Sequence, residues 1–155
     1  MKPNSFTKLY VHYVFTPKGR ECLLKENIME NVQKYIYGII KAKKCNPIAI
    51  NGTIDHIHVL IGLSPSLAVD DLIRDIKRSS SLFINENKFI FPHRFTWQEG
   101  YGAFTVGYKE LDNVYQYVLN QKGHHSKQNF REEYNRILTE EGFNNYQEYL
   151  FEFYD

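Results

Sequence analysis

Apolar and polar residues alternate over residues 8–16, with Leu9, Val11, Tyr13 and Phe15 on one side and Tyr10, His12 and Val14 on the other. A period of two in β-rich residue types predicts a strand. The basic stretch Thr16-Pro17-Lys18-Gly19-Arg20 then reads as a turn. From about Leu24 to Lys44 the period changes: Ile28, Val32, Ile36 and Ile39/Ile40 recur at helical spacing. Ile48-Ala49-Ile50, the turn-forming pair Asn51-Gly52, and renewed alternation from His56 to Leu63 predict a hairpin.

Ser66 is placed to cap a second helix whose inward stripe is Val69, Leu72, Ile73, Ile76 and Phe83. Residues 87–100 read as loop, and 101–107 return to strand. A third helix is expected from about Lys109 to Lys122, with Leu111, Val114, Tyr115 and Val118 inward and Gly123 as its stop. Beyond Arg131 the spacing is helical again, with aromatic anchors at Phe143, Tyr146, Tyr149, Phe151 and Phe153. This order predicts an α+β fold of the ferredoxin-like, split βαβ type. Its antiparallel sheet carries two helices on one face, followed by a C-terminal helix and a helical tail. No repeat or linker divides the chain, so one domain over residues 1–130 is expected, with an extension over 131–155 packed on it.

Composition excludes disorder: 43% of the 155 residues are hydrophobic and 15% aromatic. The net charge of +1 is less neutral than it looks. Residues 1–130 hold 17 Lys/Arg against 11 Asp/Glu, whereas residues 131–155 hold 2 against 7. A basic body permits a polyanion partner, and the acidic segment is expected to pack away from the face that binds it or to lie over basic surface when that partner is absent. Cys22 and Cys45 form no metal spacing and fit a reducing cytoplasm. No run approaches the roughly 20 apolar residues of a membrane helix, so a soluble protein with no membrane partner is expected.

Asp55-His56-Ile57-His58-Val59-Leu60-Ile61 carries the most informative chemistry. On a strand His56 and His58 point the same way, roughly 7 Å apart, while Ile57, Val59 and Ile61 point into the core. Two imidazoles so placed can converge on one cation, or can be ordinary polar residues of one face. Asp55 beside them either orients His56 from behind or serves only the turn. Tyr117 and Gln121, four residues apart, share one helix face beside the apolar stripe, offering a phenolic nucleophile and an amide oxygen. Tyr115 lies about 200° around from Tyr117 and reads as core; Tyr108 is a further rival. Lys18, Arg20, Lys77 and Arg78 are candidate phosphate contacts or plain solvated charges. Trp97 and Tyr101 either stack on a base or pack in the core. His124 and His125 offer a different grouping, a closed zinc site with His56 and His58.

Several blocks together resemble the single-tyrosine HUH transposases of the insertion-sequence 200/605 type, a group that includes the REP-associated tyrosine transposases. They are Tyr13-Val14-Phe15-Thr16-Pro17-Lys18-Gly19-Arg20, Asp55-His56-Ile57-His58-Val59-Leu60, Ile76-Lys77-Arg78-Ser79-Ser80-Ser81, Trp97-Gln98-Glu99-Gly100-Tyr101-Gly102-Ala103-Phe104, and the helix from Val114 to His125. They occur in family order across residues 8–135. The resemblance implies a catalytic Tyr117 and a divalent metal, Mg²⁺ or Mn²⁺, held by His56, His58 and Gln121. It also implies a homodimer and single-stranded DNA with an imperfect hairpin as partner. The activity it implies is cleavage and rejoining of that DNA through a 5′-phosphotyrosine. A DNA-binding protein of the same fold that does not cleave is the alternative, and a hydrolytic zinc enzyme a more distant one.

Overall fold

Residues 10–15 keep their two-residue period because both faces of the strand they form are covered, each by a different pair of helices. The computed structural model describes residues 5–121, 123, 128–144 and 150–154. Its strands are β1 (Tyr10–Phe15), β2 (Asn46–Thr53), β3 (His56–Gly62) and β4 (Gly102–Val106). They form one antiparallel sheet in the order β2-β3-β1-β4. Helix α1 (Glu26–Ala42) joins β1 to β2, and α2 (Val69–Glu86) joins β3 to β4. This is the expected split βαβ arrangement.

α1 and α2 lie on one face. They bury Ile28, Val32, Ile36 and Ile40, and Leu72, Ile73, Ile76 and Ile84, against Val11, Tyr13, Phe15, Ile57, Val59 and Ile61. Trp97 joins this core, its ring 4.8 Å from that of Phe15 and its indole N–H donated to Ser80 Oγ at 3.0 Å. Tyr101 is half-buried and gives its hydroxyl proton to Asp70. The other face carries α3 (Leu111–Leu119) and α4 (Phe130–Glu140). Under α3 lie Ala49, Leu60 and Val106, with Val118 buried and Tyr115 packed alongside. Under α4 lie Val14 and Phe104, with Phe130, Tyr134, Ile137, Leu138 and Phe151.

Three local expectations are corrected. β2 runs straight through Asn51-Gly52, and the turn falls at residues 54–55. Gly52 meets a requirement of close approach: a Cβ there would lie 2.2 Å from the His56 carbonyl oxygen. α2 starts at Val69, not after Ser66, because Leu67 N–H first closes a turn on Ser64 O. α3 is shorter than its pattern. A 3-10 turn occupies Tyr108–Glu110, and Asn120 caps the helix at its C-terminus, so Gly123 is not its stop.

The extension folds back over the sheet. Gly102 makes room for it, since a Cβ there would lie 2.7 Å from the Tyr134 hydroxyl. Beyond α4, Glu152 and Gln98 clip the chain end to the body: Glu152 N–H donates to Gln98 Oε1 at 2.8 Å, and Gln98 Nε2 donates to Glu152 O at 2.9 Å. Phe151 is buried and Phe143 exposed, while Tyr146 and Tyr149 fall outside the described residues. Among the described residues no helix is long and apolar enough to cross a membrane.

Candidate metal and nucleophile site

Strand alternation puts His56 and His58 of β3 on the face covered by α3 and α4, and both are fully buried. β1 adds His12 on the same face, also buried. His12 Nε2 stands 2.7 Å from His58 Nδ1, which fixes the ring and turns His58 Nε2 towards α4. His56 is held in the same manner from the turn: Asp55 Oδ1 lies 2.8 Å from its Nδ1, and Thr53 Oγ1 donates to that carboxylate at 3.0 Å. The His56 ring stacks on Phe130 with centroids 4.1 Å apart and planes 7° from parallel.

Gln121, just beyond the end of α3, presents Oε1 2.9 Å from His56 Nε2 and donates Nε2 to Tyr117 O. Tyr117 lies with its ring 5.7 Å from His58 and 6.5 Å from His12. Its hydroxyl donates to Glu133 Oε2 and accepts from Arg136 Nη2 at 2.9 Å. Glu133, fully buried in the first turn of α4, stands between tyrosine and histidines, with Oε1 3.2 Å from His56 Nε2 and Oε2 3.5 Å from His58 Nε2. One donor atom from each of His56, His58 and Glu133 can be chosen so that all lie within 4.8 Å of one another. Two imidazole nitrogens, a carboxylate and an adjacent amide oxygen form a donor set suited to a divalent ion.

The electrostatics follow from burial and from Glu133. Burial works against charge on His56, but its hydrogen bonds to Asp55 and Glu133 prevail and raise its pKa to about 9. Burial, reinforced by His58, lowers His12 to about 3 against a smaller opposing pull from Glu133. Burial and then the Glu133 charge push the Tyr117 phenol well above its usual range, partly offset by Arg136. In this arrangement Tyr117 keeps its proton at neutral pH.

The structure therefore brings together Tyr117, His56, His58, Gln121 and Asp55. It does not bring the four basic candidates there as a group. Lys18 and Arg20 are exposed on the loop after β1, at the end of the sheet that carries His56. Lys77 is on α2, across the sheet, where its ammonium donates to Gln98 O at 2.9 Å and burial lowers its pKa to about 8. Arg78 pairs with Asp75 on the same helix at 3.0 Å. His124 and His125 lie outside the described residues.

His12, Glu133 and Arg136 are additions. The first two left a trace in the sequence. His12 alternates onto the face of His58, and Glu133 falls on the stripe Phe130, Tyr134, Ile137 and Leu138, where a charge is out of place. The acidic segment does not turn away from the histidine-bearing face. It lies on that face because its aromatic residues need an apolar surface, which Val14 and Phe104 supply.

The chain is similar to known proteins in both sequence and fold. A family model described as transposase, IS200 like, matches residues 5–121. Two curated relatives, transposases for insertion sequence element IS200 from Salmonella typhimurium strain LT2 and Salmonella typhi, are each 28% identical over 114 residues, covering 71% of this chain and 74% of the relative. The fold is similar to a crystal structure from Deinococcus radiodurans R1, provisionally described as a transposase, with a TM-score of 0.60 and 22% identity over 78% of this chain and 96% of that one. It is also similar to a REP-associated tyrosine transposase bound to a REP hairpin, with a TM-score of 0.60 and 12% identity over 81% and 73%.

Proposed function

The chain belongs to the IS200-like transposase family, and from that premise we propose that it cleaves and rejoins single-stranded DNA with Tyr117 as the nucleophile. One observation carries the reading: the Tyr117 ring, the Gln121 amide oxygen and the His56 and His58 imidazoles meet at one place, the histidines delivered by strand alternation and the other two by four-residue spacing. His56, His58 and Gln121 would hold a Mg²⁺ or Mn²⁺ ion, whose charge would neutralise that of the phosphate under attack, and the nitrogen donors favour Mn²⁺. His12 and Asp55 hold the two rings at the nitrogen away from that ion, fixing their aim.

The bond from Tyr117 oxygen to phosphorus forms as the bond from phosphorus to the 3′-oxygen breaks, and the leaving 3′-oxygen ends with a proton in place of the phenol. One phosphodiester replaces another. A new 3′-hydroxyl can then reverse the step without ATP. The partner in this reading is single-stranded DNA with a hairpin, supported by the REP hairpin that the structural relative binds. A homodimer, implied by the resemblance, belongs to the same reading. In the single chain Tyr117 already faces its own His58.

The test is a covalent adduct. Wild-type protein mixed with Mn²⁺ and 3′-end-labelled single-stranded hairpin DNA should yield a labelled band that survives denaturing electrophoresis, and Tyr117→Phe should abolish it. DNA binding without any adduct would favour the non-cleaving reading, and an adduct with Tyr117→Phe would remove Tyr117 from its role.

A further inference from the structure

Glu133 enters the site from α4, beyond residue 121, where the family match ends. A carboxylate excluded from water requires compensation by opposite charge or hydrogen bonds. α4 nevertheless holds it there by strong anchoring. Phe130 stacks on His56, while Tyr134, Ile137 and Leu138 are buried on the sheet, and Asn129 caps the helix by accepting from Glu132 N–H at 2.9 Å. The two Glu133–histidine separations are those of ligands to a shared ion. Two donors each about 2.1 Å from one metal, at angles of roughly 90–120°, stand about 3.0–3.6 Å apart. Glu133 Oε1 is 3.2 Å from His56 Nε2, and Oε2 is 3.5 Å from His58 Nε2.

We propose that Glu133 is itself a ligand of the divalent ion, so that the site is a two-histidine, one-carboxylate centre with Gln121 beside it and α4 is part of the metal site. This rests on the reading of His56 and His58 as ligands. Two imidazoles and a carboxylate suit first-row ions such as Mn²⁺ or Fe²⁺ better than Mg²⁺, which prefers oxygen donors. Because the carboxylate comes from the C-terminal helix, ion binding and the docking of that helix are one equilibrium: the ion holds α4 down, and a docked α4 holds the ion. The competing role for Glu133 is that of a counter-ion occupying the ion's own place.

Calorimetric titration of Mn²⁺ into the full chain separates these roles. Glu133→Gln and Glu133→Asp should each weaken Mn²⁺ binding at least about tenfold, while Glu132→Gln on the exposed side of α4 should leave it unchanged. Mn²⁺ should also slow amide exchange across residues 130–140 in wild type and not in Glu133→Gln. Binding as tight as wild type, or tighter, in Glu133→Gln overturns the proposal and makes Glu133 a counter-ion. Should Glu133→Gln lose its cooperative melt, Glu133→Asp decides by the same criterion. If wild type binds no Mn²⁺, the metal reading of the whole site fails and this inference with it. If His56→Ala keeps wild-type affinity, the histidine assignment fails separately.

Discussion

One face of the sheet is closed by α1 and α2 through isoleucine, valine, leucine and phenylalanine; the opposite face is closed by α3 and α4 through a mixture of apolar anchors, three histidines, Gln121 and Glu133. Both faces exclude water, yet by different physics. The first gains from every apolar group it buries. The second must balance each buried polar group with a partner, so its stability depends on protonation and on whether α4 is in place. A face that is stable only under conditions can change state, whereas an apolar core cannot do so without unfolding.

The contrast can be broken most severely from the apolar side. Ile36→Asp puts an unpaired charge at a fully buried position of α1. The penalty of several kcal/mol is comparable to the whole stability of a domain this size. We expect no cooperative thermal transition; a soluble variant melting within a few degrees of wild type would show that the first face is less uniform than described. Phe130→Ala acts on the other side and should remove roughly 3 kcal/mol locally. Hydrogen exchange should show residues 130–140 losing protection while α1 retains its own, and equal losses in both would mean the two faces unfold as one.

The smallest effect concerns pH in the metal-free protein. His56 has a folded pKa raised from 6.5 to about 9, so the stability it contributes is complete below about 6.5 and is lost as pH rises through 9. His12 has the reverse sign: lowered to about 3, it takes stability away as pH falls below 6.5. Urea melts in a chelator should place the maximum near pH 6.5 and show a decline of at most about 3 kcal/mol towards pH 9. A flat profile between these values would mean that the histidine face is as indifferent to protons as the isoleucine face.

The two faces also differed in how far the sequence disclosed them. Alternation in β1 and β3 and the stripes of α1 and α2 were readable because one rule, burial of apolar groups, decides every position. His56 and His58 were readable as a pair for the same geometric reason. Glu133 and His12 were not, because no local pattern joins residues on β1, β3 and α4; their pairing appears only when the sheet brings 12 beside 58 and the extension folds back. Asn51-Gly52 misled for a related reason. Its glycine answers to the backbone of His56 across the hairpin, a contact invisible to a dipeptide rule.

The clip between Gln98 and Glu152 gives α4 a second attachment, so the helix is tethered at both ends. Lifting it does not release Glu133 into bulk solution. If Glu133 is a ligand as proposed, the carboxylate stays within a small volume and returns as an intramolecular ligand, at an effective concentration on the order of millimolar. An incoming anion must outcompete that local concentration, and a monovalent solute at micromolar levels cannot. In the proposed reading, a polyanion that grips the body of the protein at several points would bring its own phosphate to the same regime. Tethering would then make an ordinary acidic side chain a threshold, one that favours long ligands over short ones.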